Sequence, residues 1–205
     1  MIKRIALSLL LCLASVAVAA AAVETPQAAL KTNVEHLQTL IQKNHDHYKA
    51  DPQAFYKVVN EVVVPRFDVP YIAQIVMGRY WRQATPEQRT AFQNAFKNML
   101  IHSYANALLD NSNNTTVEWL PSRYQEGNDR ATVNTVLKRE NGQKYPIDFK
   151  VRLVDGSWKI YDIVIDNISL ALNFRTQIGN DLKRNGIDAV IAKLKSEDMS
   201  PAVKK

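Results

Sequence analysis

The chain has 205 residues with a formal charge of +6, and 46% of its residues are hydrophobic. This length suits a single domain with a sizeable core, and no Pro/Gly/Ser-rich linker or internal repeat indicates a second domain. The basic residues are scattered and do not form the dense Lys/Arg stripe with interleaved aromatic residues that is typical of nucleic-acid binders. The composition therefore argues against a nucleic-acid partner and is compatible with approach to anionic membranes or acidic protein surfaces.

The N-terminus has the pattern of a cleaved signal peptide. Lys3 and Arg4 precede an apolar run over residues 5–18, and small residues occupy positions 19–22. The apolar run is too short to anchor the chain across a bilayer. We therefore predict that residues 1–22 are removed and that the mature protein is exported and soluble.

The single cysteine, Cys12, lies inside the predicted signal peptide and follows three leucines. A lipoprotein signal normally has a small residue just before its cysteine, so we do not expect a lipid anchor. The mature chain then has no cysteine for a disulfide or a thiol nucleophile. Its stability has to come from the packing of the core.

The first half of the mature chain has helical periodicity. Apolar residues recur every three or four positions after the N-cap and proline pairs at residues 25–26 and 51–52. A capping-box pattern at residues 85–88 predicts a long helix that ends at the polar cluster of residues 110–114. A short helix is predicted over residues 70–77.

From residue 115 the period of apolar residues changes to two, and turn dipeptides at residues 141–142 and 155–156 separate the later runs. This pattern predicts an antiparallel meander of about four strands. Helical periodicity returns after Asp166, with a stop at Gly186 and a final short helix up to Lys195.

Helices, a meander and further helices together predict one α+β domain over residues 23–195. Its curved antiparallel sheet of about four strands would be wrapped by the N-terminal and C-terminal helices. The polar tail over residues 196–205 is predicted to be disordered.

Asp162 interrupts an otherwise apolar last strand. Strict alternation predicts that this strand is covered on both faces, with Trp158, Ile160 and Val164 on one and Tyr161, Ile163 and Ile165 on the other. A carboxylate in such surroundings is a candidate general base. It more often accepts hydrogen bonds from a loop or a helix N-terminus, and we favour this structural role. Asp68 and Asp166 are interpreted as caps or turn formers.

The sequence contains no motif for metal binding or nucleophilic catalysis. His45 and His47 lie two residues apart at a helix end, where side chains diverge, so we interpret them as a solvated helix end and not as a metal pair. No H-E-x-x-H, G-x-S-x-G, glycine-rich phosphate loop or EF-hand pattern occurs. We therefore predict neither a catalytic residue nor a metal or cofactor.

Two segments resemble the signatures of the MlaC (toluene-tolerance) family. The first comprises residues 67–68, 72–73, 76–89, 92, 96, 100 and 104–105. The second comprises residues 158–162, 168–170, 173–175 and 186–188. Their order and spacing match those of the family across essentially the whole mature chain. In one departure, the family usually has a glutamate-glycine pair where this chain has Asp166 and Asn167. We therefore predict that Asn167 takes the left-handed conformation that asparagine tolerates.

The resemblance implies a periplasmic carrier that shuttles phospholipid between an outer-membrane lipoprotein complex and an inner-membrane MCE-domain ABC transporter. This traffic would maintain the lipid asymmetry of the outer membrane. Phospholipid would be the cargo, held by its tails in an apolar cavity between sheet and helices. The tail-contacting residues are predicted on the long helix and the facing strands: Phe96, Leu100, Tyr104, Ile147, Phe149, Val151, Ile160 and Ile163.

Periodicity alone would explain these apolar residues equally well as an ordinary close-packed core. Three alternatives to a phospholipid carrier are open. In the first, the protein carries a hopanoid or another lipid, because relatives of the family are also associated with hopanoids. In the second, it is a small curved-sheet enzyme that uses Asp162 as a base and Tyr161 or Tyr104 as a hydrogen-bond donor. In the third, it is an envelope adaptor with a solid core and only a protein-binding surface.

We expect the secreted protein to begin between Val18 and Glu24 and to have no covalently attached lipid, because of the signal pattern described above. Intact-mass measurement and N-terminal sequencing of the periplasmic protein check this expectation. A retained N-terminus or a lipidated Cys12 would contradict it.

Overall fold

The computed structural model describes residues 24–122 and 124–196, which form six α-helices and one five-stranded antiparallel sheet. A π-helical turn (Val59–Val63) and a 3-10 turn (Val64–Arg66) follow the second helix. The helices are α1 (Pro26–Ala50), α2 (Pro52–Val58), α3 (Val69–Met77), α4 (Tyr80–Gln83), α5 (Pro86–Asn111) and α6 (Leu170–Lys195). The strands, in spatial order, are β1 (Thr115–Trp119), β2 (Arg130–Arg139), β3 (Lys144–Val154), β4 (Ser157–Ile165) and β5 (Ile168–Ser169). The predicted α+β class is confirmed. The predicted signal peptide and all but the first residue of the predicted tail lie outside the described residues.

The helices begin at the predicted caps. The side chain of Thr85 accepts a hydrogen bond from the backbone N of Gln88 at 3.2 Å, and the Gln88 side chain accepts from the backbone N of Thr85 at 3.1 Å. This reciprocal pair confirms the capping box at the start of α5. At the other end of the chain, α6 leaves helical geometry at Gly186, with φ 79° and ψ 174°, and then resumes. The predicted stop and short final helix are therefore confirmed.

The strand β5 was not predicted as a strand. It pairs with β4 through Ile165 and Ile168, which flank a two-residue turn. Both turn residues have positive φ, 48° at Asp166 and 65° at Asn167, which is the geometry of the tight hairpin turns that asparagine and aspartate favour. The left-handed conformation predicted for Asn167 and the turn-forming role of Asp166 are confirmed.

The strand β4 does not alternate strictly, because it contains a β-bulge. Lys150 of β3 pairs with Asp162, but the next residue, Val151, pairs with Ile160, which leaves Tyr161 as an extra residue. The extra residue reverses the alternation, so Trp158, Ile160, Ile163 and Ile165 share one face and Asp162 and Val164 share the other. The prediction that Ile163 lies on the face opposite Ile160 is therefore wrong.

Cross-strand pairing gives the sheet one apolar face. Val133, Phe149 and Ile163 lie opposite one another on β2, β3 and β4. We call this side the apolar face. It carries all five of the predicted strand residues: Ile147, Phe149, Val151, Ile160 and Ile163.

The buried side chains form three separate clusters. The first lies between α3, α5 and α6, and the second joins α1 and α2 to the C-terminal half of α5. The third covers the apolar face of the sheet and includes Leu30 of α1. Helix α5 packs mainly on α6 and α3, whereas the sheet is covered by α1, α3 and α6. The long helix and the apolar face therefore contribute to different parts of the core.

A largely buried carboxylate joins the two parts of α6 across Gly186. Asp181 accepts hydrogen bonds from Lys193 at 3.0 Å and from Arg184 at 2.9 Å. These bonds from Lys193 and Arg184 lower the pKa of Asp181 below its ordinary value. A carboxyl group whose pKa is lower in the folded state stabilises the fold above its unfolded pKa and loses this effect as the pH falls.

We expect Asp181→Asn to lower the free energy of unfolding by about 1 kcal/mol at pH 7, because both cationic partners are partly exposed. The difference from the wild-type protein should shrink as the pH falls below about 4, where the aspartate of the unfolded chain becomes protonated, and disappear below the lowered pKa of the folded state. Urea unfolding of both proteins at pH 7 and pH 3 measures this, with Glu126→Gln in an exposed turn as the control. An equal difference at both pH values would contradict the ionic role.

Candidate functional site

Helix α5 carries an apolar stripe that the protein does not fully cover. Leu100, Tyr104 and Leu108 follow one another at intervals of four residues and therefore lie on one side of the helix. Leu100 is partly buried, whereas Tyr104 is 37% exposed and Leu108 is 40% exposed. Phe96, one turn before Leu100, is buried in the cluster between α3, α5 and α6. We call Leu100, Tyr104 and Leu108 the α5 stripe.

The side chain of Tyr104 is partly shielded from water in spite of its exposed edge. Desolvation raises the pKa of its phenol above the ordinary value, and desolvation is the only cause of this shift. A tyrosine on a freely solvated helix face would not lose water contacts in this way. The α5 stripe is therefore half enclosed.

The predicted strand residues differ in how far they are covered. Val151 and Ile160 are buried and belong to the cluster that covers the apolar face of the sheet. Phe149 and Ile163 face each other and are only partly buried, as is Ile147 two residues away. We call these three residues the β3–β4 patch. The structure thus brings the five strand residues together on one face and places Phe96 and Leu100 in the helical cluster.

Two cavities lie away from these residues. The first, of about 390 Å³, lies beside β2, and its lining mixes polar and apolar surface and includes Asn134 and Tyr161. The second, of about 570 Å³, lies between α6 and the segment that joins α3 to α4. We call the second cavity the α6 groove. None of the eight predicted tail-contacting residues lines either cavity.

Asp162 has the structural role predicted for it. Its Oδ2 accepts a hydrogen bond from the Ser169 hydroxyl at 2.7 Å, and its Oδ1 accepts from the backbone N of Ala171 at 3.1 Å. The Nζ atom of Lys150 lies 3.4 Å from Oδ2. The carboxylate is buried at the N-terminus of α6, where negative charge is favourable. Because both oxygens are engaged by the protein, this geometry argues against a general-base role.

Asp68 caps α3, as predicted, and also joins this helix to the sheet. Its Oδ1 accepts from the backbone N of Tyr71 at 3.1 Å, and its Oδ2 lies 2.8 Å from Nε of Arg152 on β3. The Arg152 guanidinium lies 4.4 Å from the centre of the Tyr71 ring. No local sequence pattern indicates this ion pair, because its partners are far apart in the chain.

Within residues 24–122 and 124–196, no group of three or more histidine, cysteine, aspartate or glutamate side chains is placed to hold a metal ion. In the same residues, no helix is both long and apolar enough to cross a bilayer.

The family model described as MlaC protein matches residues 31–196. The chain belongs to the MlaC family. It is 33% identical to the toluene tolerance protein ttg2D of Pseudomonas putida over 190 residues, which cover 92% of this chain and 87% of the relative. It is 25% identical over 182 residues to the intermembrane phospholipid transport system binding protein MlaC of Haemophilus influenzae, covering 87% of this chain and 85% of that one.

A solved structure is also similar to this MlaC family member. The phospholipid-binding protein of Ralstonia solanacearum, in complex with a phospholipid, has a TM-score of 0.78 and 32% sequence identity to this chain. The match covers 85% of this chain and 97% of that protein. The similarity extends over almost the whole described fold.

We expect Asp162→Ala to lower the free energy of unfolding by about 1–3 kcal/mol, because it removes the acceptor of two buried hydrogen bonds. Chemical denaturation measures this change, and Asp46→Ala on an exposed helix end serves as the control. A variant as stable as the wild-type protein would contradict the structural role.

Proposed function

We propose that this chain is a periplasmic phospholipid carrier that holds acyl tails between α5 and the apolar face of the sheet and catalyses no reaction. The observation that carries the proposal is the incompletely covered apolar surface on both elements, the α5 stripe and the β3–β4 patch. A protein whose core was complete would bury these large side chains against one another. The phospholipid in the solved relative from Ralstonia solanacearum supports a lipid as the missing component.

The division of the core supports a cleft that opens for tails. Helix α5 packs mainly on other helices, so a small displacement of α5 from the sheet leaves the strand pairing intact. In the loaded state, the tails would contact the partly covered residues Leu100, Tyr104, Ile147, Phe149 and Ile163. The buried residues Phe96, Val151 and Ile160 would form the walls behind them.

The energetics of transfer suit a carrier. Burial of about 30 methylenes from water is worth about 0.8 kcal/mol for each group, which would make binding from water effectively irreversible. A tail that leaves one apolar phase for another gains little of this free energy. Exchange between the carrier and a membrane complex is therefore close to neutral, and lipid can move in either direction.

The partners in this proposal are an outer-membrane lipoprotein complex and an inner-membrane MCE-domain ABC transporter, and the traffic between them maintains the lipid asymmetry of the outer membrane. The signal-peptide pattern supports a periplasmic location. The name of the Haemophilus influenzae relative, a binding protein of an intermembrane phospholipid transport system, supports the transport role. Lipid extraction followed by mass spectrometry of the purified protein distinguishes phospholipid from a hopanoid cargo.

We expect Ile147→Trp to lower the amount of bound phospholipid at least several-fold, because the larger ring would occupy space in the β3–β4 patch that tails require. The thermal midpoint of the lipid-free protein should change little, since a site that is open when empty tolerates added volume better than a packed core does. Native mass spectrometry and thermal unfolding of the same lipid-stripped and reloaded preparations measure the two quantities.

The matched control is Val136→Trp. Val136 is also a partly buried β-branched residue in the middle of a strand, but it pairs with Pro146 and Glu118 on the opposite face of the sheet. This variant should keep its lipid. Unchanged lipid content in Ile147→Trp, together with a large fall in the lipid-free midpoint, would show that the patch belongs to an ordinary core.

A further inference from the structure

The α6 groove differs from the proposed tail site in its charge. Arg79, Arg175 and Lys183 line it, and its ten lining residues include no acidic residue. Within the described part of the chain, none of these three cations has a carboxylate within ion-pair distance. By contrast, Arg184, the neighbour of Lys183, is paired with Asp181. The groove therefore presents positive charge that no carboxylate of the described residues pairs with.

The backbone holds Arg175 at the wall of the groove. Gly78 has φ 56°, which side-chain-bearing residues rarely adopt, and a Cβ atom at this position would lie 3.0 Å from Nε of Arg175. The glycine thus makes room for the arginine side chain against the α3–α4 connection.

No contact with another segment of the described chain explains the glycine in the middle of α6. Gly179 is helical and lines the groove, and no atom would lie within 4 Å of a Cβ atom placed on it. An alanine would fit there and would favour the helix, since glycine is a poor helix former. A glycine that folding does not require leaves open space in which another backbone can approach closely.

The groove also has an apolar anchor point. Leu172, one of the large hydrophobic residues exposed on the surface, is 53% exposed and lies at its edge. Leu172, Arg175, Gly179 and Lys183 follow one another at intervals of three or four residues, so they form one stripe along α6. This stripe therefore offers an exposed leucine, a glycine that another backbone can approach closely, and two cations.

We propose that the α6 groove binds an acidic segment of a partner protein, whose carboxylates meet Arg79, Arg175 and Lys183 and whose apolar residue contacts Leu172. A polypeptide segment can enter a concave groove and approach Gly179 closely, whereas a flat membrane surface cannot. This inference rests on the proposed carrier function and assigns the carrier a docking site separate from its lipid site. Attraction between unlike charges also speeds the encounter of the two proteins.

The test is site-specific photo-crosslinking in the full-length protein, with a photoreactive residue at Thr176 in the groove and, as control, at Gln42 on an exposed part of α1. We expect a cross-link from Thr176 to a partner segment with net negative charge, identified by mass spectrometry of the joined peptides. The yield should fall at least tenfold in Arg175→Glu with Lys183→Glu, and recover when the acidic residues of that segment are changed to lysine. No protein cross-link above the Gln42 level, cross-links only to lipid, or a joined segment that is not acidic would overturn the proposal.

Two further measurements separate docking from lipid binding and from folding. Gly179→Ala should raise the thermal midpoint and lower the cross-link yield, whereas a lower midpoint with unchanged yield would overturn the close-approach role of Gly179. The charge-reversal variant should keep its bound phospholipid, and loss of that lipid would show that the groove belongs to the lipid site. If the wild-type protein binds no lipid but still cross-links through Thr176, the carrier function fails and the docking site stands.

Discussion

The β-bulge at Tyr161 is the feature on which most of the fold depends. Because β4 contains one extra residue opposite β3, its bulky residues on either side of the bulge, Ile160 and Ile163, lie on the same face of the sheet. The same shift places Asp162 on the opposite face, where it accepts hydrogen bonds from Ser169 and Ala171 and fixes the start of α6. Without the bulge, Ile163 and Asp162 would exchange faces, which would bury a carboxylate in the apolar cluster. One local irregularity therefore creates both the apolar face and the attachment of the last helix.

The attachment of α3 completes this arrangement. The backbone N of Asp68 donates to the carbonyl oxygen of Ile160 at 2.8 Å, one residue before the bulge. The ring of Tyr161 meets the ring of Tyr71 edge-on, with 5.5 Å between centres. Helices α3 and α6 are thus both fixed to β4, and α5 is fixed to these helices. The sheet and α5 therefore belong to separate clusters of buried side chains. Each keeps some apolar surface that the protein covers only in part, and a lipid tail would cover the rest.

Much of this arrangement follows from local signals in the sequence. The caps at Thr85 and Asp68, the break at Gly186 and the turn at Asn167 were predicted, because each depends on residues close together in the chain. The structural role of Asp162 was also predicted, because a carboxylate among apolar residues more often accepts hydrogen bonds from a loop or a helix N-terminus. The apolar residues of β3 and α5 were identified from periodicity alone.

The features that the sequence did not reveal depend on contacts between distant segments. The bulge follows from the register between β3 and β4, and strict alternation had placed Ile163 on the wrong face of β4. The ion pair between Asp68 and Arg152 joins a helix to a strand more than 80 residues away, and no local sequence pattern predicts it. The α6 groove is formed by two segments that are distant in the chain. The glycine within α6, Gly179, indicates a close-approach site only once the open space around it is known.

The most direct test of the proposed carrier function is a crystal structure of the mature protein loaded with a phospholipid whose acyl chains carry bromine. The anomalous scattering of bromine locates the tails independently of the model of the lipid. The proposal predicts bromine peaks between the α5 stripe at Leu100 and Tyr104 and the β3–β4 patch at Phe149 and Ile163. Bromine peaks confined to the α6 groove or to the outer surface, or a protein that takes up no lipid, would contradict it.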